Sequence, residues 1–370
     1  MDAIVTVLLA TAVASGLTAV LAAMLLLAER ILVNYGPCAI DINKGDRCLD
    51  VIGGQPLLTT LMQEEIFIPS ACGGRGTCAY CKLQITDGGG MVTPTEEPLL
   101  TKEEIADNVR ISCQVKVRND LSILIPEELF LVKQYRGRIE RITDMTYDIK
   151  QLRIALVEPE SIEFSPGQYI QLQAPAYKGN PEAVYRAYSM SSVPSDPGAV
   201  ETIIRLVPGG ICTTWVFNIL SEGDEVLLSG PYGDFHLSDS DAEMIWIAGG
   251  SGMAPFWSML RYMAENNIRR KCTYFFGAVG KDDLFLLDEL HKFEAELDWF
   301  TFVPALSGQD QGDDGTFETG LITEVVDRHI GDASQAEAYL CGSPGMIDAA
   351  VKVLRDKGVV EERTFYDKFA

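Results

Sequence analysis

A chain of 370 residues is too long for one small core and divides into two or three domains. Its formal net charge of −23 excludes a nucleic-acid binder that works through a basic surface. Nine cysteines, an odd number with three crowded into one loop, argue against a disulfide framework and for metal ligation in a reducing compartment.

The first predicted element is a transmembrane helix. No residue between Ala3 and Ala28 is charged. As a helix this run would span ~39 Å, more than the ~30 Å hydrocarbon core requires. A secretory signal would carry a basic leading region, yet only Asp2 precedes the run. A buried core helix of this length would normally keep a polar face. Arg30, Lys44 and Arg47 lie beyond its C-terminal end. They place the bulk of the chain on the cytoplasmic side of the membrane, after a single pass. The acidic excess serves solubility and repulsion from anionic lipid.

Residues 38–49 alternate in polarity and predict a hairpin that turns at 43–46, and 56–65 predict a helix. The stretch 69–81, PSACGGRGTCAYC, then carries Cys72, Cys78 and Cys81, with Cys113 further on in ISCQV. Three thiolates in a glycine-rich loop and one distant thiolate form the ligand set of a [2Fe–2S] cluster. Gly73, Gly74 and Gly76 let the backbone wrap closely and aim N–H groups at anionic sulfur. Zinc is the rival, but a zinc ribbon uses two separated C-x2-C knuckles and here only Cys78 and Cys81 form one. Cys38 and Cys48 are left over and read as ordinary buried thiols.

The cysteine segment resembles the ferredoxin domain of plant-type [2Fe–2S] proteins, except that Cys72 and Cys78 enclose five residues where that pattern has about four. With the preceding apolar run and the following LSILIPEELF, it is similar to the F subunits of sodium-translocating NADH:quinone oxidoreductases. That resemblance implies a β-grasp ferredoxin domain over residues 31–130, behind a membrane helix over 1–30.

From Lys133 onward, short alternating strands with turn signals predict a small antiparallel barrel. Within it, Arg186-Ala187-Tyr188-Ser189 would set a cation and an aromatic ring on one face of a strand. Arg suits a pyrophosphate and Tyr a flat ring. The block follows PGQY at 166–169 and precedes VPGGICTTW at 207–215, a glycine turn opening a helix whose N-terminus suits phosphate. GPYGDF at 230–235 closes the segment. In this order the pieces resemble the flavin domain of the ferredoxin–NADP reductase superfamily. By resemblance Arg186 would hold the FAD pyrophosphate, Tyr188 would pack on the isoalloxazine, and Ser189 would bond near its N5. Gly210 and Thr213 would cap the phosphates. The chain is short between Pro175 and Arg186, where F subunits usually carry a long insertion.

The apolar run 244–248 leads into GGSGMAP at 249–255, opening a helix expected near Phe256. Strand, glycine turn and helix make a dinucleotide entrance in which Gly249, Gly250, Gly252 and Pro255 allow close backbone approach. CTYFFGAV, FTFVPAL and AEAYLCG supply further strands for a parallel sheet. A second turn, Cys341-Gly342-Ser343-Pro344, should face the same crevice. By resemblance Cys341 would lie near the nicotinamide, although a small buried thiol is the plainer alternative. Asp282 and Asp283 after the second strand would repel a ribose phosphate and favour NADH over NADPH. In this superfamily a C-terminal aromatic can shield the flavin, with Phe369 first and Tyr366 second in line.

The expected whole is multidomain, α+β and α/β. A transmembrane helix (1–30) precedes a ferredoxin domain (31–130), an antiparallel β-barrel FAD domain (131–238) and a Rossmann-like parallel NAD domain (239–370). The resemblance implies a component of the inner (cytoplasmic) membrane that passes hydride from NADH to FAD and single electrons through the cluster to other subunits and quinone. Two alternatives stand beside it: the reductase component of a multicomponent oxygenase, and an anchored electron carrier without NADH turnover.

Overall fold

The computed structural model describes residues 9, 11, 13–24, 35–70, 72–130, 132–308 and 316–369. Residues 3–8, 10, 12 and 25–28 of the expected membrane run, 3–28, lie outside them. Residues 13–24 are helical and exposed, with Leu17, Val20, Leu21 and Met24 on the surface. Among the described residues no helix is long and apolar enough to cross a membrane. From Tyr35 onward the chain forms two compact units.

The first unit runs to Ile68 and resumes over Ala79–Glu127. Strands β1 (Pro37–Ile42) and β2 (Arg47–Ile52) form the expected hairpin, and helix α1 follows at Leu57–Gln63. Strand β3 (Lys82–Asp87), helix α2 (Lys102–Ala106), and strands β4 (Val109–Ile111) and β5 (Leu121–Leu124) complete it. The sheet order is β2-β1-β5-β3-β4, with β1 and β5 parallel and the other pairs antiparallel. Ile40, Ile42, Leu57, Leu61, Ile85 and Ile123 are buried in its core. Cys38 is buried as expected. Cys48 is exposed, because alternation on the edge strand β2 sends Leu49 and Val51 inward and Cys48 out.

The second unit comprises Pro69–Cys78 and Glu128–Ala370. Strands β6 (Lys133–Asp144), β7 (Ile149–Glu158), β8 (Tyr169–Ala174), β9 (Val184–Ser189), β10 (Ala199–Arg205) and β11 (Glu225–Tyr232) form an antiparallel sheet ordered β10-β7-β6-β11-β8-β9. It curls until Met190 bridges to Thr202, bringing its two edges together. Helix α3 (Ile211–Asn218) sends Cys212, Trp215 and Val216 into the barrel core.

Strands β12 (Met244–Gly249), β13 (Cys272–Ala278), β14 (Phe300–Leu306), β15 (Glu318–Thr319), β16 (Glu337–Gly342) and β17 (Thr364–Lys368) form a fully parallel sheet ordered β15-β14-β13-β12-β16-β17. Helices α4 (Met253–Glu265), α5 (Leu287–Glu296), α6 (Ile322–His329) and α7 (Pro344–Asp356) cover it. Alternation on β12 assigns the two faces. Met244, Trp246 and Ala248 join a core with residues of α4 and α5, whereas Ile245 and Ile247 join one with residues of α6 and α7. Ile149, Ile203 and Phe235 of the barrel segment enter the first of these cores, so barrel and parallel sheet share apolar packing. Helix α4 begins at Met253, three residues before Phe256, because a short 3-10 turn at Gly250–Gly252 already starts the winding.

Candidate cofactor sites

At the carboxyl ends of the parallel strands two turns meet. Gly252 follows β12, and a Cβ placed on it would fall 2.3 Å from the carbonyl oxygen of Cys341 at the end of β16. Only glycine fits there, so the turn of Gly249, Gly250 and Gly252 abuts Cys341 and Gly342, with Pro255 in the first turn of α4. Cys341 is fully buried, and burial followed by the nearby Asp367 carboxylate pushes its thiol well above the usual range. It is neutral there.

Strand β17 leads to Phe369 beside these turns. The Phe369 N–H donates to Gly342 O at 2.9 Å, and its ring packs on the core that contains Trp246 and Tyr339. Alternation splits the terminal aromatics. Phe365 stacks on Tyr339 at 4.8 Å, while Tyr366 is 49 % exposed under the Lys368 ammonium. Tyr366, the second candidate for a flavin shield, is therefore on the other face from Phe365 and Asp367.

Asp367 carries no functional mark in the sequence. Its carboxylate accepts a hydrogen bond from Ser189 Oγ at 3.1 Å, tying the end of β9 to β17. The only signal is an i, i+2 spacing from Phe369 on a terminal strand. Arg205 is equally unmarked. Its guanidinium lies 3.3 Å from a Cβ built on Gly250 and pairs through Nε with Asp148 at 2.7 Å. Nearby, Asp283 Oδ2 accepts the Gly280 N–H and Asp283 Oδ1 accepts the Tyr147 hydroxyl, so this carboxylate is fixed beside the end of β13.

On β9, Arg186 is half-buried and its Nη1 donates to Tyr185 O at 2.7 Å. Tyr188 packs toward the barrel core with its ring half-buried. Its hydroxyl lies inside beside Cys212, and burial pushes it well above the ordinary tyrosine range. Burial likewise pushes the Cys212 thiol up to about 11, despite the Tyr188 hydroxyl. In the loop before α3, Gly210 N–H closes on Val207 O at 2.8 Å, and Thr213 Oγ1 accepts the Val207 N–H at 3.2 Å. The first intrahelical bond runs from Thr214 N–H to Gly210 O, so the N–H groups of Ile211, Cys212 and Thr213 open the helix. The Gly210 N–H itself serves the turn, and the hydroxyl of Thr213 organises that turn.

The four cysteines come as two pairs, one in each unit. Cys72 and Cys78 sit on Pro69–Cys78; the Cys78 thiol beside it, then backbone N–H groups, holds Cys72 down to about 3 against the effect of burial. Cys81 and Cys113 sit together in the first unit, where the hydrogen bond to Cys113 and burial push Cys81 far up. Ser112 N–H donates to Cys81 O at 2.8 Å, and Leu57 N–H and Leu58 N–H of α1 donate to Val115 O and Ser112 O. These bonds hold the Cys113 turn against β3 and α1. Among the described residues no group of three or more His, Cys, Asp and Glu side chains gathers as a metal site. Two thiols within reach of each other fit part of a thiolate ligand set.

Comparison with known proteins fixes the cofactors. Residues 40–118 match the 2Fe-2S iron-sulfur cluster binding domain, 136–237 the oxidoreductase FAD-binding domain, and 246–352 the oxidoreductase NAD-binding domain. The chain is 35 % identical over 390 residues to the F subunit of the Na(+)-translocating NADH-quinone reductase of Neisseria meningitidis, covering 95 % of this chain and 96 % of that one. It is 36 % identical over 398 residues to the counterpart from Pseudomonas paraeruginosa, covering 97 % and 96 %. Among solved structures, the Amycolatopsis cytochrome P450 reductase GcoB superposes with a TM-score of 0.72 at 28 % identity, covering 90 % of this chain and 98 % of that one. The ferredoxin reductase in carbazole 1,9a-dioxygenase shares the fold, with a TM-score of 0.68.

These modules and turns define a flavin- and iron–sulfur-dependent NADH oxidoreductase, with FAD, a [2Fe–2S] cluster and NADH as its cofactors. A bound FAD would supply hydride acceptance and one-electron release, while the chain supplies position and electrostatics. More particularly, the chain belongs to the family of F subunits of Na(+)-translocating NADH-quinone reductases.

Proposed function

We propose that the chain is the NADH-oxidising subunit of a respiratory membrane complex, held in the inner membrane by residues 3–28 and delivering electrons through its cluster to partner subunits and ultimately quinone. The relatives carry sodium translocation in their names. A single run without charge between Ala3 and Ala28 offers no ion path, so that path is assigned to other subunits.

The observation that carries the reading is the meeting of elements at the two turns. Gly252 touches the Cys341 carbonyl, Phe369 bonds to Gly342, and Ser189 of the flavin strand bonds to Asp367. In this reading Arg186 holds the FAD pyrophosphate, the opening turn of α3 at Gly210 and Thr213 receives the phosphates, and Tyr188 packs on the flavin ring. Gly249, Gly250, Gly252, Pro255 and Gly342 admit the nicotinamide dinucleotide. Cys341 and Ser189 position the reacting faces, and Phe369 covers the flavin until nicotinamide displaces it. The fixed Asp283 carboxylate disfavours a ribose phosphate and selects NADH. Cys72, Cys78, Cys81 and Cys113 hold the cluster as thiolates. No side chain need act as a strong acid or base. The three histidines, His236, His291 and His329, stand apart from this chemistry.

A second reading is favoured by the likeness to a cytochrome P450 reductase: a reductase serving an oxygenase. Reconstitution separates the two. Membranes containing the protein should reduce a quinone at the expense of NADH, and deletion of residues 3–28 should leave NADH-driven flavin reduction intact while abolishing quinone reduction. Full activity toward a soluble hydroxylase, with none toward quinone, would favour the second reading.

A further inference from the structure

The loop Pro69–Cys78 packs with the flavin and nicotinamide unit, and the contact that seats it is specific. Gly73 has a φ of +65°, and a Cβ there would fall 2.1 Å from Arg186 Nη1, 3.0 Å from Tyr185 O and 3.3 Å from Arg186 Cζ. A Cβ there would force the Arg186 guanidinium aside and crowd the Tyr185 carbonyl, and the positive φ already strains every other residue type. Behind this contact the loop closes on itself, because the Gly74 N–H donates to Oγ of the buried Ser70 at 3.2 Å. Gly73 is thus the point at which the loop rests on a guanidinium, and Cys72 is its immediate neighbour in sequence.

We propose that Gly73 and Arg186 form a coupling contact through which an occupied flavin site orders the loop bearing Cys72 and Cys78, and through which that loop in turn strengthens FAD binding. The inference rests on Arg186 being the cation that holds the FAD pyrophosphate. Arg186 Nη1 donates to Tyr185 O and borders Gly73 at once, so the same nitrogen's surroundings answer to both sites. A pyrophosphate engaging the guanidinium in bidentate fashion fixes its plane, and Gly73 packs against a fixed plane instead of a turning one. A ligand shifts a conformation only through contacts that differ between its states, and such a coupling is reciprocal. Gly73 is a positioning residue on this account.

The test uses the full-length protein with its cluster in place, stripped of FAD and then reloaded. Amide hydrogen exchange across 69–78 should slow by at least about fivefold on FAD loading, the lower end of ordinary site-to-site coupling. FAD affinity, read from flavin fluorescence, should weaken by a similar factor in Gly73→Ala, and loop exchange in that variant should no longer respond to FAD. Unchanged exchange on loading wild-type protein would overturn the proposal without needing any variant, as would wild-type FAD affinity in a Gly73→Ala protein of normal iron content. Arg186→Ala separates the underlying reading. If that variant binds FAD as tightly as wild type, the assignment of Arg186 fails; if it loses FAD while loop exchange ignores FAD in wild type, only the coupling fails.

Discussion

Around the proposed nicotinamide and flavin positions the second unit offers backbone and locked side chains, with Gly252 against the Cys341 carbonyl, Phe369 on Gly342 and Ser189 on Asp367. The thiols offer no such closed frame. Cys72 and Cys78 belong to the second unit and Cys81 and Cys113 to the first, and within each pair one thiol perturbs the other. A dinucleotide site can be built from chain alone, whereas a metal centre couples folding to the ion it binds. The two regions do share one device. Each contains a buried Arg–Glu pair: Arg110–Glu96 in the first unit at 2.7 Å and Arg270–Glu337 in the second.

The pairs do different work. Glu96 also accepts the Thr93 and Ile111 N–H groups, and Arg110 donates to Gly90 O and Met91 O, so this pair clamps an irregular loop onto β4 near the Cys113 turn. Glu337 accepts from Ser238, Ser240 and Tyr339, and its pair ties the amino ends of the parallel strands, away from the glycine turns. Burial alone would raise both carboxyls. The Arg110 and Thr93 bonds outweigh it for Glu96, and the Ser238, Ser240, Arg270 and Tyr339 bonds hold Glu337 down to about 2.

The sharpest way to break the contrast is Cys78→Ala. The cluster should be lost entirely, by iron content and electron paramagnetic resonance, with FAD retained; loss of flavin and survival of the cluster signal would refute the ligand set. Next in size is Glu96→Ala, which strands the Arg110 charge. Denaturation of the first unit should show a loss of about 3–5 kcal/mol, with flavin release unaffected. Because the folded Glu96 carboxyl is depressed, its contribution is present above the unfolded value and should fade as pH drops below about 4; an acid-insensitive unfolding midpoint would contradict this.

Gly252→Ala probes the contact between the two turns. The added methyl meets the Cys341 carbonyl, and a displacement of about 1 Å should slow NADH-driven flavin reduction by roughly 100-fold in stopped flow, with iron content unchanged. The smallest effect is expected from Asp367→Asn. It weakens one hydrogen bond to Ser189, so flavin reduction should fall by about fivefold at constant FAD content. A larger fall in cluster reduction than in flavin reduction would place Asp367 on the electron-exit side instead.

Legibility in the sequence follows the range of the interactions. The hairpin at 43–46, the helix before the cysteine loop and the parallel strands ending in glycine turns are written in local alternation and turn residues. The four cysteines are visible by spacing, but their division between two units is not, because packing and not spacing decides it. Gly252 and Cys341 lie far apart in the chain, and only the sheet order brings them into contact. Asp367 and Arg205 are hidden for the same reason. Cys48 departs from the expected burial because a lone cysteine carries no facing, which the register of β2 supplies.

Electrons from NADH should pass through FAD to the cluster within this one chain. Anaerobic titration of the protein with NADH, followed by flavin absorbance and by electron paramagnetic resonance, tests it most directly. Flavin bleaching followed by the signal of a reduced [2Fe–2S] cluster is expected. An unbleached flavin beside an intact oxidised cluster would contradict it.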